Sequence, residues 1–276
     1  MSTVRPLTAG DLPHLERLIR SDPVTHCFVE SRLESAARSG RLGPEWWGID
    51  DADEITSAIY LGANIVPVET DSAARAEFAR MLLRTGRRGS SIVGPADEVL
   101  DLWARLGARW GPARDVRARQ LLMAVDRNPL IDPDPQVRAV AMEELDVLMP
   151  ACIAMFTEEV GVSPVAGGGG AAYRARVAEI VREGRAFARI ENDRVVFKAE
   201  VGVTTSRACQ VQGVWVSPER RREGISVPGM SAVVAHARRV CAPLVSLYVN
   251  DYNDPARRCY EAVGFTQVGT FATVLF

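Results

Sequence analysis

Histidine is scarce in this sequence and its cysteines are scattered, which limits the kinds of site that it can build. The 276 residues include three histidines and five cysteines, and no two cysteines have CxxC spacing. Zinc sites draw their ligands from clusters of these residue types, so we expect no metal. Isolated cysteines are also typical of reduced thiols, which predicts a cytoplasmic protein.

Long apolar runs and a charge imbalance are missing as well. No stretch of about 18 uninterrupted apolar residues occurs, and the N-terminal segment lacks the apolar region of a signal peptide. The 33 basic and 35 acidic residues leave a formal charge of -2. Because a nearly neutral chain has no global attraction for polyanions, we expect neither nucleic acid nor membrane as a partner. Any recognition of phosphate must then be local.

A proline-rich segment separates two parts of the chain that resemble each other. Residues 126–135 (DRNPLIDPDP) hold three prolines, which interrupt helix and sheet alike. A short strand and an amphipathic helix follow this segment, as they do at the start of the chain. Segments 102–107 (LWARLG) and 259–264 (CYEAVG) both end a helix at glycine. This order predicts a tandem repeat, with domains at 1–128 and 135–276.

The second copy contains a basic, glycine-containing loop between a strand and a helix. After a predicted hairpin at 186–204, residues 208–216 (ACQVQGVWV) predict a strand, and 217–226 (SPERRREGIS) form the loop. Apolar residues spaced i, i+3, i+4, i+7 from Met230 predict the helix. Amides and the dipole at a helix N-terminus stabilise a pyrophosphate. Taken alone, the arginine triplet also fits a solvated charge run.

A second motif lies at 253–265 (NDPARRCYEAVGF) and predicts a short helix. Its asparagine can cap the helix, its proline lies in the first turn and its glycine ends the helix. Ala256 precedes Tyr260 by one turn, so a small residue leaves a slot beside the tyrosine. The first copy has no basic glycine loop after its segment 58–69, and we expect that copy to be structural.

The two motifs together resemble those of the GNAT superfamily of N-acetyltransferases. Arg221-x-x-Gly224-x-Ser226 is similar to the superfamily's pyrophosphate motif, with serine in place of the usual glycine or alanine, and 253–265 is similar to its last conserved helix. The resemblance covers residues 137–276 and extends to actinobacterial tandem members with a degenerate N-terminal GNAT-like domain. It implies an α/β fold: a mixed, mostly antiparallel sheet flanked by helices, in two GNAT-like domains.

The resemblance further implies a binding site for acetyl-CoA as co-substrate. The residues that it assigns to this site are Val214, Trp215, Val216, Arg221, Arg222, Glu223, Gly224, Ile225, Ser226, Asn253, Ala256 and Tyr260. Main-chain groups of Val214 and Val216 would pair with the pantetheine arm, which Asn253 would also contact. Amides of residues 221–226 would hold the pyrophosphate. Tyr260 would lie near the sulfur and protonate it; the alternative is a tyrosine that only packs.

The implied reaction is direct transfer of acetyl to a primary amine of a small molecule or peptide, and it needs a base. Histone-type members have a glutamate where this chain has Gln210, which cannot accept a proton. Glu200 on the preceding strand is the replacement to test first, although a solvent-facing strand carboxylate fits the same pattern. Cys209 fits packing better than an acyl-enzyme.

The acceptor amine is expected between two helices at 145–160 and 173–182, joined by the glycine-rich loop 161–170. Neither its identity nor the oligomeric state follows from these residues. Gln210 leaves a second function open, in which the chain is a catalytically weak module that senses acyl-CoA.

Overall fold

The fold is described from a computed structural model, for residues 4–51 and 54–276. In chain order its helices and strands are β1 (Val4–Pro6), α1 (Leu12–Ile19), α2 (Cys27–Ser39), β2 (Trp46–Asp51), β3 (Glu54–Leu61), β4 (Asn64–Val68), α3 (Ser72–Thr85), β5 (Ser91–Pro95), α4 (Ala96–Trp110), β6 (Asp115–Val125), β7 (Arg138–Ala139), α5 (Leu145–Val160), α6 (Gly170–Arg182), β8 (Ala186–Glu191), β9 (Arg194–Thr204), β10 (Ala208–Val216), α7 (Ser226–Val240), β11 (Leu244–Asn250), α8 (Asp254–Val263) and β12 (Thr266–Leu275). One succession, strand, two helices, three strands, helix, strand, helix, strand, occurs from β1 to β6 and again from β7 to β12. None of the helices in the described ranges is long and apolar enough to span a membrane.

The chain forms two compact units, and both are discontinuous in sequence. Unit 1 consists of Met1–Met123, Tyr248–Asn253 and Gln267–Phe276, and unit 2 of Ala124–Leu247 and Asp254–Thr266. Each unit is a set of residues that lie in contact with one another. The domains predicted at 1–128 and 135–276 are instead two continuous segments, one for each copy of the repeat. Those domain boundaries stay a prediction.

Unit 1 is a mixed sheet with helices on both faces. Its strand order is β1-β2-β3-β4-β5-β12-β6, with β1 to β4 antiparallel and β4 parallel to β5. Neighbouring residues of β3 enter different cores: Ile59 packs with α3 and α4, and Ala58 with α1 and α2. This alternation is what a strand that is covered on both faces requires.

The last strand of the chain, β12, completes unit 1. It pairs antiparallel with β5, and Val274 lies opposite Ile92. Ala272 and Val274 are buried in the core that α3 and α4 form. Phe276 packs against Trp103 and Trp110, with ring centroids 5.6 Å apart in each pair.

Unit 2 repeats this layered arrangement with the strand order β11-β10-β9-β8-β7. Strands β7 to β10 are antiparallel and β10 is parallel to β11. Helices α5 and α6 cover one face. On the other face Gly229 of α7 lies against Phe197, so close that a Cβ there would be 3.0 Å from the ring. The predicted mixed, mostly antiparallel sheet flanked by helices is confirmed.

Candidate functional site

Strand β10 changes its pairing along its length, and its second half has no partner in β11. Ala208–Gln210 pair in parallel with Leu244–Ser246 of β11, and that register ends well before the strand does. On the other side, Val216 still pairs with Phe197 of β9. In the described part of unit 2, the main-chain groups of β10 beyond Gln210 therefore face no β11 partner. A ligand that adds to a sheet like an extra strand needs such main-chain groups without a strand partner.

A β-bulge interrupts β10 at the same point. Gln212 lies opposite Glu200 and Trp215 opposite Lys198, so the two residues between them face one residue of β9. Gly213 adopts φ +60, a left-handed conformation that glycine tolerates best. Because a bulge redirects main-chain groups, the amide of Val214 leaves the regular direction of the ladder here.

The loop after β10 leads directly into the N-terminus of α7. Arg222 and Gly224 have φ angles of +70 and +79. No atom of the described residues lies within 4 Å of the place that a Cβ would take at Gly224. Helix α7 begins at Ser226, and among the described side chains none caps it. Its first amides are therefore available to an anion, beside open space.

Two arginines of the loop already hold carboxylates. Arg220 donates hydrogen bonds of 2.7 Å to Glu191 and to Glu223. Arg221 donates to Glu158 of α5 at 2.6 Å and to the carbonyl oxygen of Val216 at 3.1 Å. That carbonyl is one of the groups predicted to pair with pantetheine, so such pairing would require Arg221 to move or to share it.

Helix α8 places Tyr260 beside the start of α7. The Ser226 side chain lies close enough to Cys259, the residue before Tyr260, to lower the pKa of its thiol, although burial raises that pKa more. Tyr260 is 7% exposed and its ring centroid lies 5.9 Å from that of Phe265. Burial raises the pKa of Tyr260, as do Cys259 and Glu159 to a smaller extent. The phenol therefore stays protonated at neutral pH, which is the form that can donate a proton.

The remaining predicted binding residues have different surroundings. Ile225 is buried at the base of the loop, whereas Arg222 and Glu223 are exposed. Trp215 donates from Nε1 to Glu158 at 3.1 Å. Ala256 lies on α8, one turn before Tyr260. Asn253 is exposed and groups with unit 1, so its predicted role stays a prediction.

The two helices expected to frame the acceptor are α5 and α6. The bounds predicted for α5, 145–160, are confirmed, whereas α6 begins at Gly170 rather than at Tyr173. Gly167 and Gly168, in the connecting loop, have φ angles of +60 and +87. The tyrosine hydroxyl of α6, on Tyr173, donates to the carbonyl of Cys152 at 3.0 Å and ties the two helices together.

A buried polar cluster lies beneath the bulge, and its extent was not predicted from the sequence. Glu200 is buried, so the alternative of a solvent-facing carboxylate is wrong. Its carboxylate lies 3.3 Å from Nζ of Lys198 and accepts a 2.8 Å hydrogen bond from Gln212. Burial favours the protonated acid, but Lys198 and Gln212 outweigh this effect and lower the pKa of Glu200. Glu200 is therefore ionised, as a base must be.

The other two residues that bear on the chemistry, Gln210 and Cys209, are both buried. Gln210 is buried and uncharged. Burial raises the pKa of Cys209 to about 12, so its thiol stays protonated, which fits packing rather than nucleophilic attack. Within the described ranges, no group of three or more His, Cys, Asp or Glu side chains is placed to hold a metal ion.

Comparison with protein families matches two segments of the chain to two different families. Residues 165–265 match the acetyltransferase (GNAT) family, and residues 44–148 match a domain of unknown function, DUF4081. Among curated proteins, no sequence matches significantly.

Solved structures similar to this chain include several acetyltransferases. A GNAT-family acetyltransferase from Colwellia psychrerythraea has a TM-score of 0.58 at 11% identity, over 99% of each chain. A tandem GNAT protein from the clavulanic acid biosynthesis pathway has a TM-score of 0.57 at 15% identity, over 100% of this chain and 98% of that one. For a GCN5-related N-acetyltransferase from Sphaerobacter thermophilus the TM-score is 0.63 at 16% identity, over 99% and 94%. At these identities the likeness establishes the fold.

Proposed function

We propose that this chain, whose residues 165–265 belong to the GNAT family of acetyltransferases, moves the acetyl group of acetyl-CoA directly to a primary amine. The observation that carries the proposal is the end of β10. There the strand loses its β11 partner, bulges at Gly213, and continues through an open glycine loop into the uncapped start of α7.

The cofactor would lie along this path. Pantetheine would pair with the main chain of Val214 and Val216, in the part of β10 that does not pair with β11. The pyrophosphate would accept hydrogen bonds from amides between Arg221 and Ser226, aided by the dipole of α7. The open space at Gly224 lets a phosphate approach the backbone.

The chemistry needs an oxyanion stabiliser, a proton donor and a proton acceptor. The amine nitrogen attacks the thioester carbonyl carbon, and the amide of Val214 at the bulge stabilises the oxygen. The carbon–sulfur bond then breaks, and the neutral Tyr260 donates a proton to the departing thiolate. The amine loses one proton in the same reaction, and the ionised Glu200 is the acceptor that we assign to it.

In the described residues of unit 1, carboxyl groups of the protein already accept hydrogen bonds from amides at the start of α3, the counterpart of α7. At the start of its helix α3, Asp71 accepts a 2.7 Å hydrogen bond from the amide of Ala74. The adjacent amide of Thr70 donates to Glu98 at 2.9 Å. These two amides are thus already paired within the protein and are not free to bind an anion. We infer one acetyl-CoA per chain, in unit 2.

Acetyl-CoA titration by calorimetry, followed by turnover against a panel of amines, tests this function. We expect saturable binding and release of free CoA thiol with at least one amine. Tight binding without turnover of any amine would favour the acyl-CoA sensor, and no binding would refute both functions.

A further inference from the structure

Lys198 is the single lysine of the sequence, which otherwise carries its positive side-chain charge on 32 arginines. It is also among the most deeply buried side chains, at 1% exposure. A lysine ammonium is more compact than a guanidinium and binds as a point charge rather than as a planar fork. The position therefore differs from every other cationic position of the chain, both in its chemistry and in its burial.

The ammonium of Lys198 lies directly under the bulge of β10. A Cβ built on Gly213 would lie 3.1 Å from Nζ of Lys198 and 3.4 Å from Cδ of Glu200. The same Cβ would lie 3.0 Å from the methyl carbon of Met155 on α5, so α5 covers the pair. Lys198 and Glu200 thus meet at the point where the proposed reaction places the thioester carbonyl.

The rest of the cluster fixes the carboxylate of Glu200. Lys198 holds Oε2, and Gln212 donates to Oε1. Gln212 in turn fills the space above Gly202, where a Cβ would lie 2.1 Å from its Cδ. Each carboxylate oxygen retains a second lone pair, so Glu200 can still accept a proton while both contacts persist.

A contribution to the stability of the fold is a weak explanation for the buried ion pair of Lys198 and Glu200. Removing two charges from water can cost as much as their attraction returns, and apolar replacement of a buried pair is often neutral or stabilising. Buried charges with shifted pKa values instead concentrate at functional sites.

Lys198 and Glu200 are the main charged groups of the cluster, because most of the side chains that face them from α5 and α6 are neutral. From α5, Cys152 lies near Lys198 and is neutral, because burial raises the pKa of its thiol. From α6, Tyr173 is neutral for the same reason. Arg176, also on α6, adds positive charge that lowers the pKa of Glu200 further.

We propose that Lys198 is a positioning residue of the acetyl-transfer site, whose ammonium keeps Glu200 ionised and oriented to take the proton of the incoming amine. This inference rests on the proposed function, because it needs a thioester at the bulge and an amine that reacts with it. Lys198 acts through Glu200 and does not itself exchange a proton or form a bond.

Kinetics of three variants test the proposal. In Lys198→Met, Glu200 loses its neighbouring cation, so the pKa of its carboxyl group rises. Below neutral pH we then expect kcat/KM to fall as Glu200 becomes protonated, in a pH range where kcat/KM of the wild type stays constant. At neutral pH we expect kcat to fall by about 10- to 100-fold, with the acetyl-CoA Kd within about twofold. Lys198→Arg keeps a cation and restores the wild-type pH profile in part.

The double variant Lys198→Met, Glu200→Gln removes both charges and keeps the shapes, which guards against a fold that fails with one charge unpaired. We expect it to fold and bind acetyl-CoA but to remain slow. Its kcat/KM should not fall at low pH through titration of a carboxylate, because residue 200 no longer carries one. Wild-type activity in this variant, or an unchanged pH profile in Lys198→Met, would overturn the proposal while leaving the acetyltransferase function intact. A wild type that binds acetyl-CoA but acetylates no amine would overturn both.

The single lysine also permits a measurement without any acceptor. Protein labelled with lysine carrying ¹³C at Cε gives one side-chain lysine resonance, that of Lys198. We expect saturating acetyl-CoA to shift this resonance, and to leave it unmoved in Gly224→Val, the variant that we expect not to bind acetyl-CoA. A resonance that stays in place in the wild type, while calorimetry shows saturation, would contradict the position of Lys198 beside the acetyl group.

Discussion

At the scale of single residues, burial gives Tyr260 the protonation state that its proposed role needs. A raised pKa keeps the phenol neutral, so the hydroxyl can donate a proton throughout the physiological range. The same shift makes the phenol a weaker acid, and the CoA thiolate needs little assistance to leave. We therefore expect proton donation to matter, but less than in a reaction with a poor leaving group.

Replacing Tyr260 with phenylalanine removes one oxygen and little else. Fold and acetyl-CoA affinity should persist, while kcat falls by roughly 10² to 10⁴, toward the lower end of that range. Tyr252→Phe is the matched control, because Tyr252 is 73% exposed and should not change the rate. An unchanged kcat in Tyr260→Phe would show that this tyrosine only packs.

Gly224 is expected to matter for the space beside it rather than for its backbone angle alone. Gly224→Val should abolish acetyl-CoA binding, measured by calorimetry, since the side chain fills the place of the phosphate. Gly184→Val is the control: Gly184 has a similar φ of +68 and equally open surroundings, but lies between α6 and β8. Both variants carry about 1–2 kcal/mol of backbone strain. Equal loss of binding in the two would assign the effect to strain.

At the scale of helices and strands, local sequence predicted the elements that carry the proposed site. The Asn192-Asp193 turn identifies the β8–β9 hairpin because both residues tolerate a left-handed backbone, and both adopt positive φ. A different local signal, the helical spacing of the apolar residues, predicts α7. The Lys198–Glu200 pair could not be predicted, because the burial of two charges in β9 depends on α5, a helix distant in sequence.

The capping of α3 and the open start of α7 predict a stoichiometry. Calorimetry should give one acetyl-CoA per chain, and none in Gly224→Val. Asp71→Ala removes the cap of α3, which should cost about 1 kcal/mol of stability and leave the acetyl-CoA Kd unchanged. Two binding sites in the wild type, or a loss of affinity in Asp71→Ala, would contradict this assignment.

At the scale of the whole molecule, the sequence predicted the repeat but not the position of β12. The repeated order of elements follows from local patterns that occur twice in the chain, although the helix end predicted at Gly107 is wrong, because α4 continues to Trp110 and ends at Gly111. The pairing of β12 with β5 does not, because an apolar strand fits the edge of either copy by pattern alone. Strand partners distant in sequence are set by packing, here of Ala272 and Val274 against α3 and α4.

A charge placed in β12 should therefore damage unit 1. Ala272→Asp buries a carboxylate at a position with no exposure, which should cost several kcal/mol or prevent folding. Val268→Asp lies in the same strand at 54% exposure and should cost within about 0.5 kcal/mol. Hydrogen exchange of β5 distinguishes the two, because only Ala272→Asp should deprotect the amides of residues 91–94. Retained protection would contradict the place of β12 in this core.

The position of β12 also has a consequence for biosynthesis. Chains usually fold in the order in which the ribosome makes them, at about 5–20 residues per second. Unit 1 cannot follow that order, because residues 267–276 emerge only after unit 2 has been made. For roughly 10 to 30 seconds at that speed, the nascent chain exposes β5 as an unpaired edge over an incomplete core. Such edges recruit other strands, so we expect this protein to need chaperones during its own translation.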